Sequence, residues 1–151
     1  MSRSAIIILT QNTIERKIYL KTSLYFLFKK FNAKYKYPVI ILHDGDYDTN
    51  AMNEINSSIR KNFRYLIEYK KIDDADFEIP KDIDENKMNR CINIAPVPYW
   101  RNRNYRLMCN FWINNFIKYC DNYDYIMRID DDSIIEEPIN TDIFKLIEDK
   151  N

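Results

Sequence analysis

A chain of 151 residues with 46% hydrophobic and 30% charged residues has the size and apolar content of one globular domain, which excludes a disordered chain. Its 23 basic and 23 acidic residues cancel to a formal net charge of zero, so no overall field draws it to nucleic acid or to an anionic membrane. The one glycine, Gly45, excludes a P-loop and a dinucleotide fingerprint, because each needs several glycines to bring backbone amides close to phosphates.

The first predicted element is the β-branched run from Ala5 to Leu9, read as a buried parallel strand. It is too short for a signal-peptide core or a membrane span, so the chain as given carries no membrane segment and a cytoplasmic location is expected. Thr10-Gln11-Asn12-Thr13 is a polar turn in which Asn12 or Thr13 can cap a helix. Residues 14–31 show helical spacing, with Ile14, Ile18, Leu24, Tyr25, Leu27 and Phe28 as the apolar positions. Tyr37 to Leu42 is a second buried strand, entered through Pro38 and followed by the turn His43-Asp44-Gly45-Asp46. Residues 50–61 read as a short helix and 65–69 as a third strand.

Residues 71–99 have no clear period and read as a long loop with a short helix near 84–90. Loops of that length are usually functional or mobile. Trp100 to Cys120 reads as a long helix whose apolar side carries Tyr105, Met108, Cys109, Trp112, Phe116 and Tyr119. Tyr125 to Ile129 is a fourth strand that runs directly into Asp130-Asp131-Asp132-Ser133. Thr141 to Asp149 is a last short helix, with Thr141 as its candidate cap. Cys91, Cys109 and Cys120 fit no zinc spacing and read as free thiols in a reducing compartment.

Strands that alternate with helices imply a parallel α/β sheet, and such sheets bind ligands at the carboxyl ends of their strands. The turns Thr10–Asn12, His43–Asp46 and Asp130–Asp132 all fall there. In an extended segment residues i and i+2 point the same way, so Asp130 and Asp132 are expected to converge while Asp131 faces elsewhere. Two hard carboxylates so placed suit Mg²⁺ or Mn²⁺, with diphosphate oxygens and water as the remaining ligands. The other reading of the same residues is a solvated acidic turn. His43 is open to a metal or phosphate role or to a purely structural one. Arg101, Arg103 and Arg106 can meet a diphosphate or form a solvated basic turn.

Two motifs carry a family resemblance. Tyr105-Arg106-Leu107-Met108-Cys109-Asn110-Phe111 resembles the Tyr-Arg-x-Met-Cys-Arg-Phe motif of the fungal-type α-1,2-mannosyltransferases, which have the GT-A fold. Tyr123-Asp124-Tyr125-Ile126-Met127-Arg128-Ile129-Asp130-Asp131-Asp132 is similar to that family's Tyr-Asp-Tyr-Tyr-Trp-Arg-Val-Glu-Pro-Asp, at a matching distance. Asp142-Ile143-Phe144, Phe31-Asn32 and Tyr37-Pro38 resemble further family positions. Asn110 replaces the motif's second Arg, Ile113-Asn114 a Ser-Gly pair, and Gln11 an Arg.

The resemblance implies a Rossmann-like GT-A sheet with flanking helices over residues 1–151. It would be one nucleotide-sugar-binding domain, cut short after the acidic turn relative to the full family domain. It implies a metal-dependent glycosyltransferase that moves a mannose-like sugar, with retention, from a GDP-mannose-like nucleotide sugar to a glycan or protein acceptor. Mn²⁺ (or Mg²⁺) would sit at Asp130 and Asp132, and the donor at Thr10, Gln11, Asn12, His43, Asp44, Tyr105, Arg106 and Asp131. Family members are Golgi-membrane proteins. In the family the acceptor site and further catalytic residues follow the acidic turn, so none is assigned here. The alternative is a nucleotide-sugar-binding module without turnover, from a split or degenerate gene.

Overall fold

The structure, a computed structural model, describes residues 2–94 and 101–150. Trp100, the expected start of the long helix, lies outside them. The chain divides into two compact units, one formed by residues 1–72 with 120–151 and the other by residues 73–119. Among the described residues no helix is long and apolar enough to cross a membrane.

The first unit contains the parallel sheet expected from the alternation of elements. Its strands are β1 (Ser4–Leu9), β2 (Val39–His43), β3 (Ile67–Lys71) and β4 (Tyr125–Arg128), in the order β3-β2-β1-β4. All three pairings are parallel. The two central strands are the β-branched runs, and Ala5 to Ile8 and Val39 to Leu42 are completely buried. Edge strand β3 is only partly buried and starts two residues later than the sequence suggests. Residues Lys61–Leu66 form a 3₁₀ turn first, which turns Leu66 inward and packs Phe63 against the core.

Helix α1 (Ile14–Leu27) is capped by Thr13, whose side chain accepts from the Arg16 amide at 3.1 Å. It continues through a π turn, Phe28–Asn32, into the short α2 (Ala33–Tyr35). The buried side of this helical stretch is Leu20, Leu24, Leu27, Phe28 and Phe31. Ile14, Ile18 and Tyr25, expected on that side, are exposed. The reason is electrostatic. The first turns point Arg16 at Asp131 and Asp132, and Lys17 and Lys21 at Glu54, so charged residues take the inward side there.

Helix α3 (Thr49–Ser57) is capped by Asp48 and buries Ala51 and Ile55. With α1 and the inward residues Ile6, Ile8, Val39 and Ile41, these form one core that also takes Phe144. Each such side chain contributes about 1.5–3 kcal/mol on full burial.

The second unit is helical: a 3₁₀ turn Asp74–Phe77, α4 (Glu85–Ile94), α5 (Arg103–Asn110), a π turn Phe111–Asn115 and a 3₁₀ turn Phe116–Tyr119. The short helix expected near 84–90 within the long loop is the ten-residue α4, which extends to Ile94. In the long helical stretch Leu107, Phe111 and Tyr119 are buried while Tyr105 is exposed. Phe111 packs on Phe77 at 5.4 Å and on Tyr119 at 5.9 Å between ring centroids. Buried Asp76 accepts from the Tyr119 hydroxyl and pairs with Lys118 at 2.8 Å.

The last helix, α6 (Ile143–Glu148), belongs to the first unit and is capped by Asp142 rather than Thr141. The Asp142 carboxylate accepts from the Lys145 amide at 3.3 Å and from the Tyr37 hydroxyl at 2.7 Å, which fixes it at the cap.

Candidate functional site

The strand order places the topological switch point between β1 and β4. The chain leaves β1 toward β2 and β3 on one side and returns to β4 on the other. Ligand crevices open outside the carboxyl ends of strands at such points. The register pairs Ile7 with Arg128, and the Ile129 amide donates to the Ile7 carbonyl at 3.0 Å. The acidic turn therefore emerges beside Thr10, at the end of β1.

The turn is not extended. The Ser133 amide donates to the Asp130 carbonyl at 3.0 Å, which closes a β-turn over the three aspartates. The three side chains divide between the two sides of the turn. Asp131 is the inward residue, 6% exposed, and its carboxylate accepts from the Thr10 hydroxyl at 2.8 Å and from the Arg16 guanidinium at 2.8 Å. Asp132 faces solvent and pairs with the same guanidinium at 3.1 Å. Asp130 faces solvent too, held by Arg128 through contacts of 3.0 and 2.8 Å. The outer carboxylates are thus held by different arginines, Arg128 on Asp130 and Arg16 on Asp132.

Burial pushes the Asp131 carboxyl above the usual carboxylate range, while Thr10 and Arg16 pull it back. For Arg16 burial works against the charge, but Asp131 and Asp132 outweigh it and the guanidinium is held more firmly protonated than usual. Arg16 escapes the motif comparison. A physical signal was present all the same: a cation in the first turn of a helix opposes the macrodipole and needs an anionic partner.

The β2 turn joins this end of the sheet. Asn12 donates from its amide to the Asp46 carboxylate at 3.0 Å and from its side chain to the Asp46 carbonyl at 2.7 Å. The Tyr47 hydroxyl donates to the Gln11 carbonyl at 3.3 Å, and burial pushes that phenol up to about 12. His43 is buried, accepts at Nδ1 from the Gly45 amide at 3.0 Å, and lies against Tyr47 and Tyr69. Burial lowers its pKa, with Lys71 acting in the same direction and Asp44 against it. Asp44 and Gln11 are exposed. Thr10, Gln11, Asn12, His43, Asp44 and the three aspartates all belong to the first unit.

Tyr105 and Arg106 belong to the second unit. Asn102 caps α5 by accepting from the Tyr105 amide at 2.8 Å. The Arg106 guanidinium donates to the Arg101 carbonyl at 3.2 Å, and Arg101 lies over the Tyr105 ring at 5.0 Å.

The donor set suits a hard divalent cation. Asp130 and Asp132 supply only oxygens, and their side chains are 56% and 53% exposed. Among the described residues no group of three His, Cys, Asp or Glu is placed to hold a metal. Ligand oxygens and water would have to complete the shell, as is usual for Mg²⁺ beside phosphates.

A parallel α/β sheet with an acidic turn at its switch point defines a GT-A-type fold, and the structural neighbours have the same architecture. Core-mannan synthase A of Aspergillus fumigatus, solved in a Mn/GDP form, superposes with a TM-score of 0.85 at 21% identity, over 100% of this chain and 40% of that one. The mannosyltransferase Ktr4p of S. cerevisiae in complex with GDP also gives 0.85 at 21% identity, over 99% of this chain and 38% of that one.

The whole sequence, residues 1–151, matches the glycolipid 2-alpha-mannosyltransferase family, and the chain belongs to it. O-glycoside alpha-1,2-mannosyltransferase homolog 5 of Schizosaccharomyces pombe is 25% identical over 126 residues, 82% of this chain and 29% of that protein. Glycolipid 2-alpha-mannosyltransferase 2 of Candida albicans is 26% identical over 127 residues, 81% of this chain and 27% of that protein. The chain thus spans less than a third of the length of either relative.

Proposed function

We propose that the chain forms the nucleotide-sugar-binding part of a metal-dependent glycosyltransferase. The transferase would move a mannose-like sugar from a GDP-type donor to a hydroxyl of a glycan or protein acceptor. The observation that carries this reading is the bond from Thr10 to Asp131, which ties the end of β1 to the acidic turn at the switch point of the sheet. Membership of the family supports it, as do the mannosyltransferase names of its relatives and a structural neighbour solved with Mn and GDP.

In this reading residues 1–151 act as one domain, and Asp130 and Asp132 hold Mn²⁺ or Mg²⁺. When bound, the cation supplies Lewis-acid neutralisation of the departing diphosphate. The chain's own residues do the positioning. Asp131 anchors the turn to Thr10 and Arg16. Gln11 and Asn12, fixed by Tyr47 and Asp46, present the loop after β1 to the donor, with His43 and Asp44 at the end of β2. Tyr105 and Arg106, in the second unit, stand as donor-binding candidates on the family motif alone.

Thermal unfolding with Mn²⁺, GDP, both together and GDP-mannose tests this. Ligands that bind only the native state raise stability by RT ln(1 + [L]/Kd), about 2.7 kcal/mol at a hundredfold excess over Kd. The expected outcome is a higher Tm with Mn²⁺ plus GDP or GDP-mannose. An unchanged Tm with millimolar Mn²⁺ and GDP would overturn the reading.

A further inference from the structure

Arg16 is the third residue of α1, a position where the macrodipole works against a cation. Its guanidinium bridges two carboxylates of the acidic turn, at 2.8 Å from Asp131 and 3.1 Å from Asp132. Arg128 holds the third, Asp130, at 2.8 Å. Two guanidiniums against three carboxylates leave one net negative charge on the turn. A bare divalent cation that approaches Asp130 and Asp132 must therefore compete with guanidiniums already in contact with them. It would also leave a displaced guanidinium beside a dication, which is repulsive.

A diphosphate removes that conflict, because its oxygens accept paired hydrogen bonds from a guanidinium. Arg16 is free to make the exchange in part only. Its side chain is 39% exposed, and of its two partners Asp131 is buried while Asp132 is open to solvent. The loop of residues 10–13 carries no cation, so Arg16 supplies the guanidinium of the β1–α1 connection.

We infer that Arg16 is a positioning residue that stays on Asp131 and exchanges Asp132 for the diphosphate of the donor, so that divalent cation and nucleoside diphosphate bind cooperatively and each binds weakly alone. This rests on the nucleotide-sugar reading of the same site.

Titration of Mn²⁺ followed by its paramagnetic resonance signal, with and without GDP, separates the two. In the unmodified chain GDP is expected to tighten Mn²⁺ binding about tenfold or more, within the usual range of coupling between sites. In Arg16→Met, Mn²⁺ alone should bind several-fold tighter, and GDP should improve it by about threefold or less. Arg16→Met leaves Asp131 buried without its cation, which weakens the fold. The pair Arg16→Met with Asp131→Asn removes both charges and should show the same loss of coupling. Equal coupling in the unmodified chain and in both variants would overturn the role of Arg16. Tight Mn²⁺ binding by the unmodified chain with no response to GDP would overturn the cooperativity and leave the metal site standing. Failure of the unmodified chain to bind Mn²⁺ or GDP at millimolar concentration would remove the site, and this inference with it.

Discussion

Asp131 accepts two hydrogen bonds from a position almost closed to water, whereas Asp130, one residue earlier, meets its arginine in solvent. Truncating a buried acceptor strands its donors, at about 1–3 kcal/mol. An exposed ion pair contributes about 0–1 kcal/mol. Asp131→Ala is therefore expected to destabilise the fold by about 1–3 kcal/mol and Asp130→Ala by no more than about 0.5 kcal/mol. Denaturant unfolding of the two variants checks this, and equal midpoints would mean that the Thr10 and Arg16 contacts do not hold in solution. The residues of the site were legible as an acidic run after a buried strand. The closed turn was not, because it depends on one backbone choice, turn or extended, made where the strand ends. Arg16 was hidden for a related reason: its partners lie 115 and 116 residues away.

At the scale of elements, the central strands were legible because β-branched runs buried on both faces leave few alternatives. The helices were legible as helices but not in their facing. The pull of Asp131, Asp132 and Glu54 on Arg16, Lys17 and Lys21 overrides the apolar pattern in the first turns of α1. Turn geometry gives the sharpest prediction here. Gly45 has φ +101° and Lys36 has φ +63°, both in the left-handed region, but only one position has glycine. A Cβ at Gly45 would fall 2.6 Å from the Cε of Lys71. That side chain can swing away, so backbone strain of about 1–3 kcal/mol remains as the main cost of Gly45→Ala. At Lys36 the strain is already present, so Lys36→Gly is expected to be neutral or to stabilise by up to about 1 kcal/mol. Thermal unfolding of the pair should show Tm shifts of opposite sign or a loss at Gly45 alone; a loss at both would mean that Lys36 is not left-handed in solution.

For the whole molecule the sheet class and its ligand-binding end followed from the alternation of strands and helices, whereas the strand order, and with it the switch point, became visible only in three dimensions. The balance of charge is likewise a property of the whole chain, and its neutral sum hides groups that titrate in opposite senses. His43 is the single histidine, and burial lowers its pKa from 6.5. A depressed folded value means that the stability it contributes is present above pH 6.5 and is lost as pH falls through the folded pKa. Hydrogen bonds from Lys17 and then Lys21 lower Glu54 from 4.5 to about 2, so its contribution is present above pH 4.5 and is lost as pH falls toward 2. Asp131 and Asp46 are raised above 3.8, each chiefly by burial. Their contributions have the other sign, present below pH 3.8 and lost as pH rises through the raised values. Stability should therefore fall below pH 6.5 as the unfolded chain protonates its histidine and fall again below pH 4.5 as the Glu54 pairs are lost, with proton uptake by the two aspartates opposing the loss above pH 3.8. The His43 ring proton gives one resonance that can be followed directly, with an expected midpoint below 6.5. Denaturant unfolding from neutral pH down to about 2, for the unmodified chain and for Glu54→Gln, isolates the acid limb. The variant should lose that last fall while keeping the first. A His43 midpoint at or above 6.5 would contradict its burial, and an unchanged acid limb in Glu54→Gln would show that the lysine pairs between α1 and α3 add nothing to the stability of the fold.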